Sequence, residues 1–134
     1  MPEVVTTDVT VRYEDLDTFG HVNNVAYGSY CEEGRLAWAD RLLADADHGP
    51  FALVLASRTL NFQEPIHATA TVTVETWLCE VGTSSFTLGY RILEGGTLVA
   101  DGKSVHVYCD PDMEAVEPIP DDWRAHLEAL VTSR

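Results

Sequence analysis

The sequence predicts an α+β domain in which one long helix lies against an antiparallel sheet. The elements run β-α-β-β-β-β, with a short helix at the C-terminal end. Three observations predict it. Residues 24 to about 43 place Tyr27, Tyr30, Cys31, Gly34, Ala37, Trp38 and Leu42 at spacings of three and four, the period of a helix with one buried stripe. Residues 51 to 108 are rich in β-branched and aromatic side chains and are cut at short intervals by turn residues. No second long helical period separates those strands, so they follow one another as an antiparallel meander.

Taken in order, residues 4 to 13 carry Val5, Val9 and Val11 in alternation with polar residues and read as a strand. A tight acidic loop with Gly20 follows. Asn23 or Asn24 opens the helix, since an Asn side-chain oxygen accepts a bond from an orphan helix N–H. Gly49 and Pro50 close it. Residues 51 to 62 form the next strand, and Gln63-Glu64-Pro65 breaks it, because proline fixes φ and has no N–H for a ladder. Further strands are predicted at 69–80, 85–93 and 98–108. Gly95-Gly96 makes a hairpin turn between the last two. Pro118 to Pro120 lead into a short amphipathic helix carrying Trp123, Leu127 and Leu130.

With 134 residues the chain is read as a single domain over 1–134. Its net charge of −14 sets 22 acidic residues against seven Arg and one Lys. That balance disfavours nucleic acid and anionic membrane surfaces, which are bound through clustered cations. No apolar run reaches the length of a membrane span and the first residues lack a signal-peptide pattern, so a cytoplasmic protein is expected. Three widely spaced cysteines, Cys31, Cys79 and Cys109, do not suggest a disulfide framework.

Most motif readings fail on spacing. Asp15-x-Asp17 with Gly20 resembles the start of a calcium loop, but Phe19 and Ala26 stand where oxygen ligands are needed. Asp15-Leu16-Asp17-Thr18 resembles an aspartyl-phosphate motif, whose fold needs crossover helices absent here. Gly102-Lys103-Ser104 lacks the first glycine of a P-loop, position 97 being Thr. The histidines (His21, His48, His67, His106 and His126) show no metal-ligand spacing, so neither a metal nor another cofactor is expected. No Gly-x-Ser-x-Gly elbow exists, and Cys31 falls on the buried stripe of the helix. What remains is Asp17 and His21 beside a helix N-terminus, which favours negative charge, including charge that develops during a reaction. The alternative is that Asp15 and Asp17 simply serve as turn and capping residues.

The stretch Asp15-x-Asp17-x-x-Gly20-His21-Val22-Asn23-Asn24-x-x-Tyr27-x-x-Tyr30-x-Glu32-Glu33-x-Arg35 resembles the signature of hotdog-fold acyl-CoA thioesterases of the 4-hydroxybenzoyl-CoA thioesterase-like group. Phe62-x-x-Pro65, the Gly-Gly hairpin, the 102–108 strand and Pro118-Ile119-Pro120 fit the same order of elements. The resemblance implies a sheet wrapped around the long helix, and subunits paired edge to edge as a homodimer or homotetramer. It implies that Asp17 is the catalytic carboxylate, as nucleophile or as general base. The backbone N–H near Asn24 would polarise the thioester carbonyl, and His21 and Asn23 occupy motif positions. The implied substrate is an acyl-CoA or acyl-carrier-protein thioester.

A thioester suits such a site, because a thiolate leaves readily and a single carboxylate with an oxyanion donor suffices. Coenzyme A is anionic, so a local basic cluster is expected from Arg58, Arg91, Lys103 and Arg124, with Arg58 and Lys103 as the leading candidates. Tyr27, Phe51, Trp77 and Phe86 are candidates for the acyl pocket, or else core residues. A non-catalytic hotdog module that binds acyl-CoA is the rival reading. A hotdog dehydratase is disfavoured, because its Asp-x-x-x-x-His arrangement differs from Asp17-x-x-x-His21 here.

Overall fold

The computed structural model describes residues 3–43, 52–67, 71–110, 112 and 114–132. β1 (Val4–Thr10) is shorter than its alternation predicts. At Arg12 the chain leaves the ladder, because the Arg12 N–H donates to Asp15 Oδ2 at 2.9 Å and closes a 3-10 turn over Tyr13–Asp15. The long helix α1 (Asn24–Leu42) begins at an Asn23 N-cap, whose side-chain oxygen accepts the Val25 N–H at 2.9 Å. The expected stop at Gly49-Pro50 lies outside the described residues, as do Phe51 and Thr69.

Four strands follow: β2 (Ala52–Phe62), β3 (Thr71–Val81), β4 (Ser85–Glu94) and β5 (Thr97–Cys109). The sheet is antiparallel throughout, in the order β1-β3-β4-β5-β2. The expected meander therefore holds only for β3-β4-β5. β2 pairs with β5 at one edge, and the chain then crosses to β3 at the far side, where β1 completes the sheet.

One face of the sheet carries Val72, Val74, Leu78, Leu88, Tyr90 and Ile92, all buried against Tyr30, Cys31 and Trp38 of α1. The predicted helical stripe is thus the face that packs. Helix and sheet meet most closely at Gly34. A Cβ there would lie 2.6 Å from both Val74 Cγ1 and Thr76 Oγ1, so hydrogen is the only side chain that fits without movement. The helix packs mainly over β1, β3 and β4; β2 meets it through Arg58 and Phe62, while Leu55 and Phe62 stay more than 40% exposed. This is the wrapped arrangement expected of a hotdog fold. The C-terminal helix α2 (Asp121–Glu128) buries Trp123 and Leu127 and is tied to the end of α1 by His126, whose Nε2 donates to the Leu42 carbonyl at 2.8 Å. Among the described residues no helix is long and apolar enough to cross a membrane.

Candidate active site

Between the 3-10 turn and α1 the chain makes a narrow hairpin. The Asp17 N–H donates to the His21 carbonyl at 2.7 Å, and the Asn23 N–H to the Asp15 carbonyl at 2.7 Å. Gly20, at φ +78°, supplies the left-handed residue that lets the chain reverse between them. The Asp17 carboxylate folds over this turn, and its Oδ1 accepts the Phe19 N–H at 2.9 Å and the His21 N–H at 3.0 Å. The capping role suggested for Asp17 is therefore present, but it occupies one oxygen. Oδ2 takes no bond from the described residues, and the side chain is exposed.

The two aspartates face opposite ways. Asp15 is only 5% exposed, and its carboxylate is bonded by the Arg12 N–H, the Arg12 guanidinium at 3.2 Å and the Tyr30 hydroxyl at 2.8 Å. Burial pulls the Asp15 carboxyl upward, but the bonds from Arg12 and Tyr30 outweigh it and hold it below the usual carboxylate range. The same burial and the neighbouring carboxylate push the Tyr30 phenol up.

Asp17, His21, Asn24 and Tyr27 line one groove of about 380 Å³. Its opposite wall is Phe62, Gln63, Glu64 and Pro65, where β2 leaves the sheet. Tyr27 closes the floor: its ring meets Phe62 edge-on at 4.9 Å, and its hydroxyl donates to the Glu64 carbonyl at 3.4 Å. Asn24 is the first helical residue, so its N–H has no acceptor in a preceding turn, and no loop carbonyl among the described residues takes it. Asp17 and the first residue of the helix thus border one cavity. The arrangement suits an electrophilic carbonyl that is attacked from one side and polarised from the other.

The other named residues sit elsewhere. Asn23 is spent as the helix cap and lines the neighbouring depression with Arg12 and Asp15. Arg58 reaches from the inner face of β2 to Glu32 of α1 at 2.9 Å, and Glu32 also holds Arg35. Lys103 and Arg91 lie on the outer face of the sheet, Arg91 beside Glu75. Arg124 of α2 binds the Gly82 and Thr83 carbonyls and Glu128. The four cations form no cluster at the groove. Phe86 packs in the core between Trp38 and His106, and Trp77 lies across Gly89 on the outer face. Burial pushes the Cys31 thiol up to about 12, with Arg58 opposing, which leaves it unreactive near neutral pH. Sequence reasoning did not assign Gln63 and Glu64 to the site. The signal was the Pro65 break, which marks where an edge strand turns away over the helix start. Among the described residues no three His, Cys, Asp or Glu side chains are grouped to hold a metal ion.

A family model described as the thioesterase-like superfamily matches residues 11–127. The chain belongs to that superfamily. The structure superimposes with a TM-score of 0.87 on a predicted thioesterase from Bacillus stearothermophilus, 29% identical, with 98% of this chain and 99% of that one covered. A thioesterase from Thermus thermophilus, in complex with coenzyme A and Zn, is 29% identical at a TM-score of 0.80, covering 93% of this chain and 92% of that one. The chloroplastic acyl-acyl carrier protein thioesterase ATL3 of Arabidopsis thaliana is 31% identical over 71 residues, 51% of this chain. The chain spans 56% of the length of one curated relative it matches and 37% of ATL3.

Proposed function

We propose that this thioesterase-superfamily chain hydrolyses an acyl-CoA, or an acyl-carrier-protein thioester, to the free acid and thiol. The observation that carries the reading is the shared groove of Asp17 and Asn24. The thioester carbonyl lies across α1 with its oxygen toward the Asn24 N–H, where the helix dipole and a free donor stabilise the oxyanion. Asp17 Oδ2 either attacks the carbonyl carbon or takes the proton of an attacking water. By the first route an acyl–Asp17 anhydride forms as the C–S bond breaks, and water then hydrolyses it, restoring the carboxylate. By the second, water adds directly to the carbonyl carbon and the C–S bond breaks. In both the sulfur leaves as thiolate. The two N–H bonds to Oδ1 keep Oδ2 aimed. His21 and Tyr27 shape the groove around the acyl group, and Asn23 keeps α1 capped. The solved relative that holds coenzyme A supports a CoA ester, and the relation to ATL3 supports a carrier-protein ester.

The chain acts as at least a dimer in this reading. β2 is an edge strand whose Leu55 and Phe62 remain more than 40% exposed, and pairing with a second copy buries them. The thiols of Cys31, Cys79 and Cys109 are free, which suits the reducing cytoplasm. Thiol release from a panel of aromatic, short and long acyl-CoA substrates tests the proposal. Asp17→Asn is expected to lower kcat by about a thousandfold or more, as loss of a nucleophile or base does. Tight acyl-CoA binding with no thiol release from the unaltered protein would establish a binding module instead.

A further inference from the structure

Asp15 is a charged side chain with 5% exposure, two residues from Asp17, and the chemistry proposed above does not use it. Burying a carboxylate is unfavourable unless its partners are well placed. Its bonds explain what the charge does. The carboxylate is fixed to the body of α1 by the Tyr30 hydroxyl and to the end of the first strand segment by Arg12. Its own carbonyl accepts the Asn23 N–H, which is the cap of the same helix. One residue therefore fastens the root of the Asp17 hairpin to α1 at two points, one at the cap and one on the second turn.

We propose that Asp15, through Tyr30, is a positioning residue: it sets the separation between Asp17 Oδ2 and the Asn24 N–H, and so the fit of the site to its transition state. This rests on the hydrolase reading. Tyr30 is fully buried, so removing its hydroxyl keeps the ring in place while freeing one side of the Asp15 carboxylate. The root of the hairpin can then pivot about the bonds to Arg12. A shift of this kind weakens the transition state more than substrate binding.

The experiment compares unaltered protein with Tyr30→Phe by steady-state thiol release and by amide hydrogen exchange. Tyr30→Phe is expected to lose tenfold or more in kcat with KM within twofold. Exchange at the Asp17, His21 and Asn23 amides accelerates tenfold or more while Leu88 and Tyr90 in the sheet keep their rates. His126→Ala, on α2 against the far end of α1, serves as a comparator and keeps the original kcat. Arg12→Ala, on an exposed side chain, gives the same pattern at about threefold and replaces Tyr30→Phe should that variant not fold. An unchanged kcat, a loss confined to KM, or exchange that rises evenly across the sheet overturns the proposal. Should the unaltered protein release no thiol, the hydrolase reading falls. The exchange pattern alone then decides, localised acceleration supporting the clamp and unchanged rates overturning it.

Discussion

At the scale of single residues, His106 is a buried group whose charge state limits stability. His106 is 2% exposed; its Nε2 lies 2.7 Å from Ser104 Oγ, which in turn meets the Tyr90 hydroxyl at 2.6 Å. Burial brings its imidazole down to about 4, with Arg35 and Arg58 adding to the fall and Glu32 opposing it. The unfolded chain takes up this proton near 6.5, whereas the folded chain resists it until about 4. Stability from the neutral ring is thus complete above 6.5 and is lost as pH falls toward 4. Urea unfolding at pH 7 and pH 5 is expected to show a loss of roughly 2 kcal/mol, and His106→Gln removes most of that difference. Nothing in the sequence distinguishes His106 from the exposed His21. A lone histidine carries no period, and its burial is set by β4 and β5, which come together only in the fold. The same holds for Asp15 and Asp17. Both were legible as acidic loop residues beside a helix start, but which one turns inward depends on Tyr30, fifteen positions from Asp15.

Elements are where the sequence was most readable. The three-and-four spacing located α1, and the alternation located the strands to within a few residues. Pairing was not readable, since alternation shows which face of a strand is apolar but not which strand lies beside it. The strand read at 51–62 is expected to open the meander and is instead an edge beside β5, and the Arg58–Glu32 ion pair joins residues from different elements. The closeness of α1 to β3 makes a quantitative test. Gly34→Ala adds helix propensity worth about 1 kcal/mol, but drives a methyl into Val74 and Thr76 of the sheet. Overpacking of this kind costs about 1–3 kcal/mol. The steric term wins because both neighbours are held in a central strand. Denaturant titration is expected to show net destabilisation of about 1–2 kcal/mol; a gain in stability would mean that the helix lifts freely.

For the whole molecule, the open edge is where the proposed dimer would form. β2 is the longer of the two edge strands, 11 residues against 7 for β1, and it bears Val54, Leu55 and Phe62 at 40–47% exposure. Two copies joined there each carry −14, so their mutual repulsion is expected to ease as salt rises. Leu55→Asp places like charges across the pairing edge while leaving the packed face of α1 untouched. Sedimentation is expected to give a monomer for this variant and a dimer or larger species for the unaltered chain, with similar circular dichroism for both. A dimer retained by Leu55→Asp moves the contact away from β2.

The groove wall has a last consequence. Glu64 lines the groove on the wall across from Asp17, so two acidic residues border whatever occupies it. An ester enters uncharged at its reacting end, but the acid formed from it is an anion. Under the proposed hydrolysis, turnover would convert a tolerated guest into a repelled one and so favour release of the product.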